Sequence, residues 1–190
     1  ATPNSFTGGT LISAADMNAN FTAHQTAIND NNSRIAALEA LLAGVTRASS
    51  TITFTGVNVQ VRNGLATSDS DDGTGNLIVG HNENGVAATR SGSHNLVIGA
   101  DHEWTGHLGI VTGANNTIGN EGYAIGGELN VVGNISCIIG GSNNQTTNSA
   151  RNAGADTDPY GSVIVGGRQN TINGQFSVIV GGNINTIDFD

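Results

Sequence analysis

The sequence predicts a mainly β chain, a parallel β-solenoid of short rungs preceded by an α-helical coiled coil, with three chains side by side. Three observations lead there. The apolar-Gly-Gly unit in "SVIVGGRQNTINGQFSVIVGGNINTIDFD" (residues 162–190) recurs up to seven times, often followed by Asn-Thr-Ile. Residues 17–42 carry apolar side chains at a period of 3.5 rather than 2. The composition has 4% aromatic and 11% charged residues against 28 Gly and 25 Asn, so any core is a thin layer of small and β-branched side chains.

The charge balance narrows the partners. Net charge is −9, and all six basic residues are Arg. No basic patch exists to neutralise phosphates, so nucleic-acid binding is disfavoured, and an acidic surface repels anionic lipid. No apolar run reaches the ~20 residues that span a bilayer. The chain opens on Ala1, which suits a secreted product after signal-peptide removal, although a trimmed chain would look the same. One cysteine, Cys137, excludes an intrachain disulfide and reads as buried filler in "SCIIGG", where other copies have Val.

Residues 1–12 read as an extended N-terminal arm, because Pro3 and Gly8-Gly9 oppose a helix. Residues 13–44 read as the coiled-coil helix. Ser13 offers an N-cap with Asp16 in the capping-box position, and Gly44 is a natural stop. Met17, Phe21, His24, Ile28, Asn31, Ile35, Leu38 and Leu42 follow one another in steps of 4 and 3. With Phe21, Ile28, Ile35 and Leu42 at position a and His24, Asn31 and Leu38 at position d, Ile at a leans towards three strands. The other faces are polar, so the helix needs partner helices, and these seven residues are assigned to a trimer axis.

Residues 45–74 form a connector. In "TITFTGVNVQVR" Ile52 and Phe54 share one face and Val57, Val59 and Val61 share one face, with a slip at Thr55-Gly56 that predicts a bulge or bend. "NGLATSDSDDGTG" reads as an acidic loop.

Residues 75–190 are the repeat domain. Its first small residues, Gly80, Gly99, Thr112, Gly126, Gly140, Gly166 and Gly181, are separated by 19, 13, 14, 14, 26 and 15. Each copy reads as one rung: a short apolar strand, a glycine turn, and a second strand around Asn-Thr-Ile. One rung cannot bury its own face and must stack, and the repeated Asn can ladder from rung to rung. Ile125, Ile139, Val165 and Val180 are assigned to the rung core.

These rungs resemble the head repeats of trimeric autotransporter adhesins. The resemblance implies a left-handed parallel β-roll, three chains to a head. The helix resembles trimeric stalk segments of that family and of phage tail fibres, which implies an axial anion held at Asn31. What the resemblance implies for this chain is a trimeric, secreted, fibrous build. The order here is stalk before head, and no C-terminal membrane-anchor barrel follows.

Several stretches invite a chemical reading and are explained more simply: the stretch with His102, Glu103 and His107 reads as a solvated loop between rungs, and the others as turns or strand starts. His102, Glu103 and His107 in "ADHEWTGH" match no zinc spacing, and "DSDDG" (69–73) lacks the alternating carboxylates and later Glu of a calcium loop. Asp156 and Asp158 flank a Pro in a long insertion and read as turn residues. "GTGNLIVG" puts its glycines before a strand and cradles no phosphate. No nucleophile stands in a motif with a base, so the expectation is a protein that is not an enzyme and has no cofactor. It is expected to be a structural subunit of an extracellular fibre or surface appendage. An adhesin head, or a tail fibre of a phage or injection system, is the alternative. End-to-end joining of trimers is expected through Phe6, Leu11 and Ile12 of the arm against Val178, Val180, Ile187 and Phe189 of the last rung.

Overall fold

A computed structural model describes residues 5, 8–9, 11, 13–83, 90–147, 161–174 and 176–188. It divides into two compact units, 1–59 and 60–190. The division falls inside the stretch read as the connector.

The first unit is a helix and a hairpin. Helix α1 (Ala14–Leu41) starts where the sequence places it: the Ser13 hydroxyl accepts the Asp16 N–H at 3.0 Å and donates to Asp16 Oδ2 at 2.6 Å. These bonds satisfy an orphan donor of the first turn. Gly44, with φ +90°, ends the helix in left-handed backbone. Strands β1 (Val45–Ala48) and β2 (Thr51–Phe54) pair antiparallel, Val45 opposite Phe54, around a turn in which Ser49 has φ +54°. Beyond Gly56 (φ +69°) the chain leaves the hairpin, and Val57, Val59 and Val61 form no strand. The expected phase slip is therefore the end of the sheet rather than a bulge within it. None of the 28 residues of α1 is buried within its own chain.

The second unit is a parallel β-solenoid of about six turns. One sheet holds seven parallel strands: β3 (Leu77–Val79), β4 (Leu96–Ala100), β6 (Ile110–Ala114), β8 (Tyr123–Ile125), β10 (Cys137–Ile139), β12 (Val163–Val165) and β14 (Val178–Val180). The other holds six, two residues each: β5 (Glu103–Trp104), β7 (Thr117–Ile118), β9 (Val131–Val132), β11 (Gln145–Thr146), β13 (Thr171–Ile172) and β15 (Thr186–Ile187). From β4 onward the chain alternates between the sheets once per coil.

Successive coils stack in register, Cys137 on Tyr123 and on Val163, Thr171 on Gln145 and on Thr186. From β4 to β14 each strand therefore sends one side chain inward, and the interior is two facing columns. Val97, Val111, Ala124, Ile138, Ile164 and Ile179 come from one sheet, and Trp104, Ile118, Val132 and Ile172 from the other. A core one side chain deep per sheet explains why aromatic residues are scarce.

This register corrects two sequence readings. Ile125, Ile139, Val165 and Val180 are not the core of their own chain; each follows the inward residue and points out, with Val180 78% exposed. Alternation of side chains along a strand leaves no other outcome once Ala124, Ile138, Ile164 and Ile179 point in. Thr112, in turn, sits in the strand beside Ile98 and is not a member of the glycine column. The recurring glycines are Gly99, Gly113, Gly127, Gly141, Gly167 and Gly182. A Cβ on any of the first five would collide with the carbonyl oxygen of the next glycine in the column. Their spacings are 14, 14, 14, 26 and 15. The preceding Gly126, Gly140, Gly166 and Gly181 face open space but have φ between +69° and +76°.

Candidate functional site

Three features of the described residues are candidates for function: a buried polar ladder, an apolar sheet face, and the row of residues assigned to the helix seam. The ladder comes from the residue three places after each recurring glycine. Asn116, Asn130, Asn144 and Asn170 are fully buried. In each step the Oδ1 of one Asn accepts both the backbone N–H and the side-chain N–H of the Asn in the next coil. For Asn130 to Asn144 the lengths are 3.0 and 3.2 Å, and for Asn144 to Asn170 they are 3.0 and 3.1 Å. The remaining Nδ2 hydrogen of Asn144 reaches the Gly167 carbonyl at 3.2 Å. A buried amide must find partners for both its ends, and stacking copies 4.7–4.9 Å apart supplies them. The 26-residue step from Asn144 to Asn170 leaves the ladder intact, so that insertion is accommodated without disturbing it.

The ladder continues towards the N-terminus through a different residue. His102 is fully buried at the same station. Its backbone N–H donates to Asn82 Oδ1 at 2.6 Å, and its Nδ1 accepts the Asn116 N–H at 3.2 Å. Sequence reading missed this member by weighing His102 with Glu103 and His107 as ligands. The Gly99-x-x-His102 spacing, equal to Gly113-x-x-Asn116, is the signal that would have found it. The structure does not bring the three together. His102 points inward, Glu103 is half-buried in β5, and His107 Nδ1 lies 3.6 Å from Asp71 Oδ1. Among the described residues no group of three His, Cys, Asp or Glu is placed to hold a metal.

The acidic loop is organised by its own hydroxyls. Asp72 Oδ1 accepts from the Ser93 hydroxyl (2.5 Å) and from the backbone N–H and hydroxyl of Thr74 (3.0 and 2.9 Å). These bonds, the Ser93 one foremost, hold the Asp72 carboxyl below its ordinary range, and the Thr67 hydroxyl does the same for Asp69. A polar pocket of about 290 Å³ lies beside the loop, lined by Arg62, Asn63, Thr67, Ser68 and His94 among others. His94 Nδ1 stands 3.0 Å from the Ser68 carbonyl. Asp156, Asp158 and Tyr160 lie outside the described residues.

The outer face of the seven-stranded sheet is apolar along its length. Leu77, Val79, Ile98, Ile125, Ile139, Val165, Val178 and Val180 are all exposed on it. Parallel sheets are normally covered on both faces, and among the described residues only one face of this sheet is covered. Cys137 lies half-buried on this outer face rather than in the interior, and burial pushes its thiol pKa up. The helix seam is as open: Phe21 is 65% exposed, Ile28, Ile35, Leu38 and Leu42 are exposed, and so are His24 and Asn31. Of the aromatic residues that could contact a ligand, Trp104 is buried under the Arg90 guanidinium, 5.5 Å from its ring, and Tyr123 is half-buried.

The residues assigned to end-to-end joining fall in several places. Phe6, Ile12 and Phe189 lie outside the described residues. Leu11, Val178 and Val180 are exposed, and Ile187 packs against the interior column. No described helix is long and apolar enough to cross a membrane.

The fold is thus that of a parallel β-solenoid repeat protein. No family model, curated protein or solved structure matches the chain.

Proposed function

We propose that this protein is a non-enzymatic structural subunit of an extracellular fibre or surface appendage, built as a parallel homotrimer. One observation carries the proposal: both units leave uncovered the apolar surfaces that their regular elements repeat. Eight aliphatic side chains line the outer sheet face, and Phe21, Ile28, Ile35, Leu38 and Leu42, with His24 and Asn31 between them, line a helix none of whose residues is buried in its own chain. Covering the exposed half of one Val or Ile contributes about 1 kcal/mol, so the sheet face alone supplies roughly 8 kcal/mol per chain. That is of the order of the cost of association.

Three such helices joined along their seams would place Phe21, Ile28, Ile35 and Leu42 on a common axis. Asn31 would then face its two copies and could share an anion with them. The ladder and stacked sheets suit a load-bearing role, since every coil is bonded to its neighbours along its whole length. Joining of successive trimers through residues 1–12 and the Val178–Ile187 coil belongs to the same proposal. Electron microscopy of the intact chain and of a variant lacking residues 1–12 tests it. Filaments present in the first sample and lost in the second are the expected result. Discrete particles in both would overturn the end-to-end joining.

A further inference from the structure

The asparagine ladder has one titratable member among its described stations. At Asn116, Asn130, Asn144 and Asn170 the side chain is an amide, which neither gains nor loses a proton between pH 4 and 8. At His102 it is an imidazole in the same place doing the same work. Its Nδ1 accepts the Asn116 N–H at 3.2 Å, as Oδ1 does elsewhere in the ladder. Its Nε2 stands 3.1 Å from the Ile98 carbonyl four residues back, as Asn116 Nδ2 stands 2.8 Å from the Thr112 carbonyl. These partners fix the ring as the neutral tautomer with its proton on Nε2.

We propose that His102 is an acid-sensitive joint of the solenoid: a second proton on its ring opens the contact between its coil and the coil of Asn116. The chemistry follows from the two partners. A proton on Nδ1 would point at the Asn116 N–H, so donor meets donor. Asn116 would lose its acceptor, and the second proton of the buried ring would have no acceptor in its place. An amide could rotate to offer its oxygen; a protonated imidazole has no acceptor left.

The surroundings offer little to hold the charge. From the following coil the ring meets Asn116 and Gly113, both neutral. From the preceding coil Asn82, flanked in sequence by His81 and Glu83, and Arg90 bond the His102 backbone: Asn82 Oδ1 accepts its N–H at 2.6 Å, and Arg90 Nε donates to its carbonyl at 3.1 Å and brings a charge that opposes a second cation. Within its own coil Asp101 and Glu103 flank it, and Asp101 favours the charged form only as the weakest influence. Burial outweighs these and moves the ring below its ordinary range.

The sign follows directly. A histidine whose folded pKa is depressed binds fewer protons folded than unfolded, so stability rises with pH across the interval between the two values. The joint is therefore fully closed above the unfolded value of about 6.5 and weakens as pH falls from there towards the folded value.

The experiment is hydrogen exchange read by mass spectrometry on the intact chain from about pH 7.5 to 4.5, corrected for intrinsic exchange. In the unmodified protein, peptides covering Asn116 should lose protection by up to about tenfold per pH unit below about 6.5. Peptides covering Asn144, whose ladder partners are all amides, should keep theirs and serve as the internal control. In His102→Asn the Asn116 peptides should stay protected across the range. Unchanged Asn116 protection down to the lowest pH would overturn the joint. So would equal loss at Asn144, or the same loss in the His102→Asn variant. Because the internal control lies in the unmodified protein, the comparison of Asn116 with Asn144 decides the matter even where the variant fails to fold.

Discussion

Asn130 and Asn144, 14 residues apart in the chain, are bonded twice: one Asn130 oxygen takes the backbone N–H of Asn144 at 3.0 Å and its side-chain N–H at 3.2 Å. Repeated from coil to coil, this double bond converts a row of buried amides from a liability into the element that sets the stacking register.

Removing one member should therefore cost more than one hydrogen bond. Asn144→Ala strands two donors of Asn170 in the interior, its backbone N–H and one side-chain N–H, and takes a side-chain donor from the Asn130 oxygen and the Gly167 carbonyl. At about 1–3 kcal/mol per buried unsatisfied group, a loss of about 4 kcal/mol is expected. Asn185→Ala, at an exposed station, should cost about 1 kcal/mol. Urea denaturation of both variants compares them, and equal losses would contradict the ladder's role.

The two glycines of each pair should differ. A Cβ at Gly127 would strike the backbone carbonyl of Gly141, while at Gly126 it would meet open space. Gly126→Ala should cost about 1–2 kcal/mol for its left-handed backbone alone. Gly127→Ala must force neighbouring coils apart and should be far more damaging. A thermal melt of each variant separates the cases; a milder Gly127→Ala would refute the stacking geometry.

Ile138 and Ile139 are neighbours with different duties. Ile138 is fully buried in its own chain, whereas Ile139 is 43% exposed on the outer sheet face. Ile138→Ala should lower the stability of the chain by about 3 kcal/mol. Ile139→Ala should leave the isolated fold nearly unchanged and weaken association instead, which dilution series of the two variants would display.

Much of this was legible in the sequence, and the failures have physical reasons. The helix and its start were readable because its apolar residues follow a helical period and because Ser13 and Asp16 make a local contact. Laddering was readable because Asn recurs at a fixed place after Gly. The inward residue was not: in "VIVGG" both neighbours are β-branched, and an uncovered apolar face leaves the strand without alternation. Ala124 and Thr112 held the missing signal. A small residue suits the interior and a polar one suits the outside, which places the middle strand position inward. His102 was missed because its residue type suggested metal chemistry before its spacing was compared.

The acidic loop titrates in its own window. The Asp72 carboxyl is held below 3.8, chiefly by the Ser93 hydroxyl, so its contribution is present above about 3.8 and is lost as pH falls through the folded value. The weakening at His102 begins higher, as pH falls below about 6.5. Ser93→Ala should raise the Asp72 midpoint towards the ordinary value, read by its carboxyl resonance, and an unmoved midpoint would refute the assignment.

In the proposed trimer, three chains cover the surfaces each leaves open. Sedimentation equilibrium of the intact protein, carried to low concentration, tests it most directly. The account predicts a mass of about 58 kDa, three times the 19.2 kDa chain, and its loss in Ile28→Asp, which places a charge on the proposed axis. A stable monomer or dimer would contradict it.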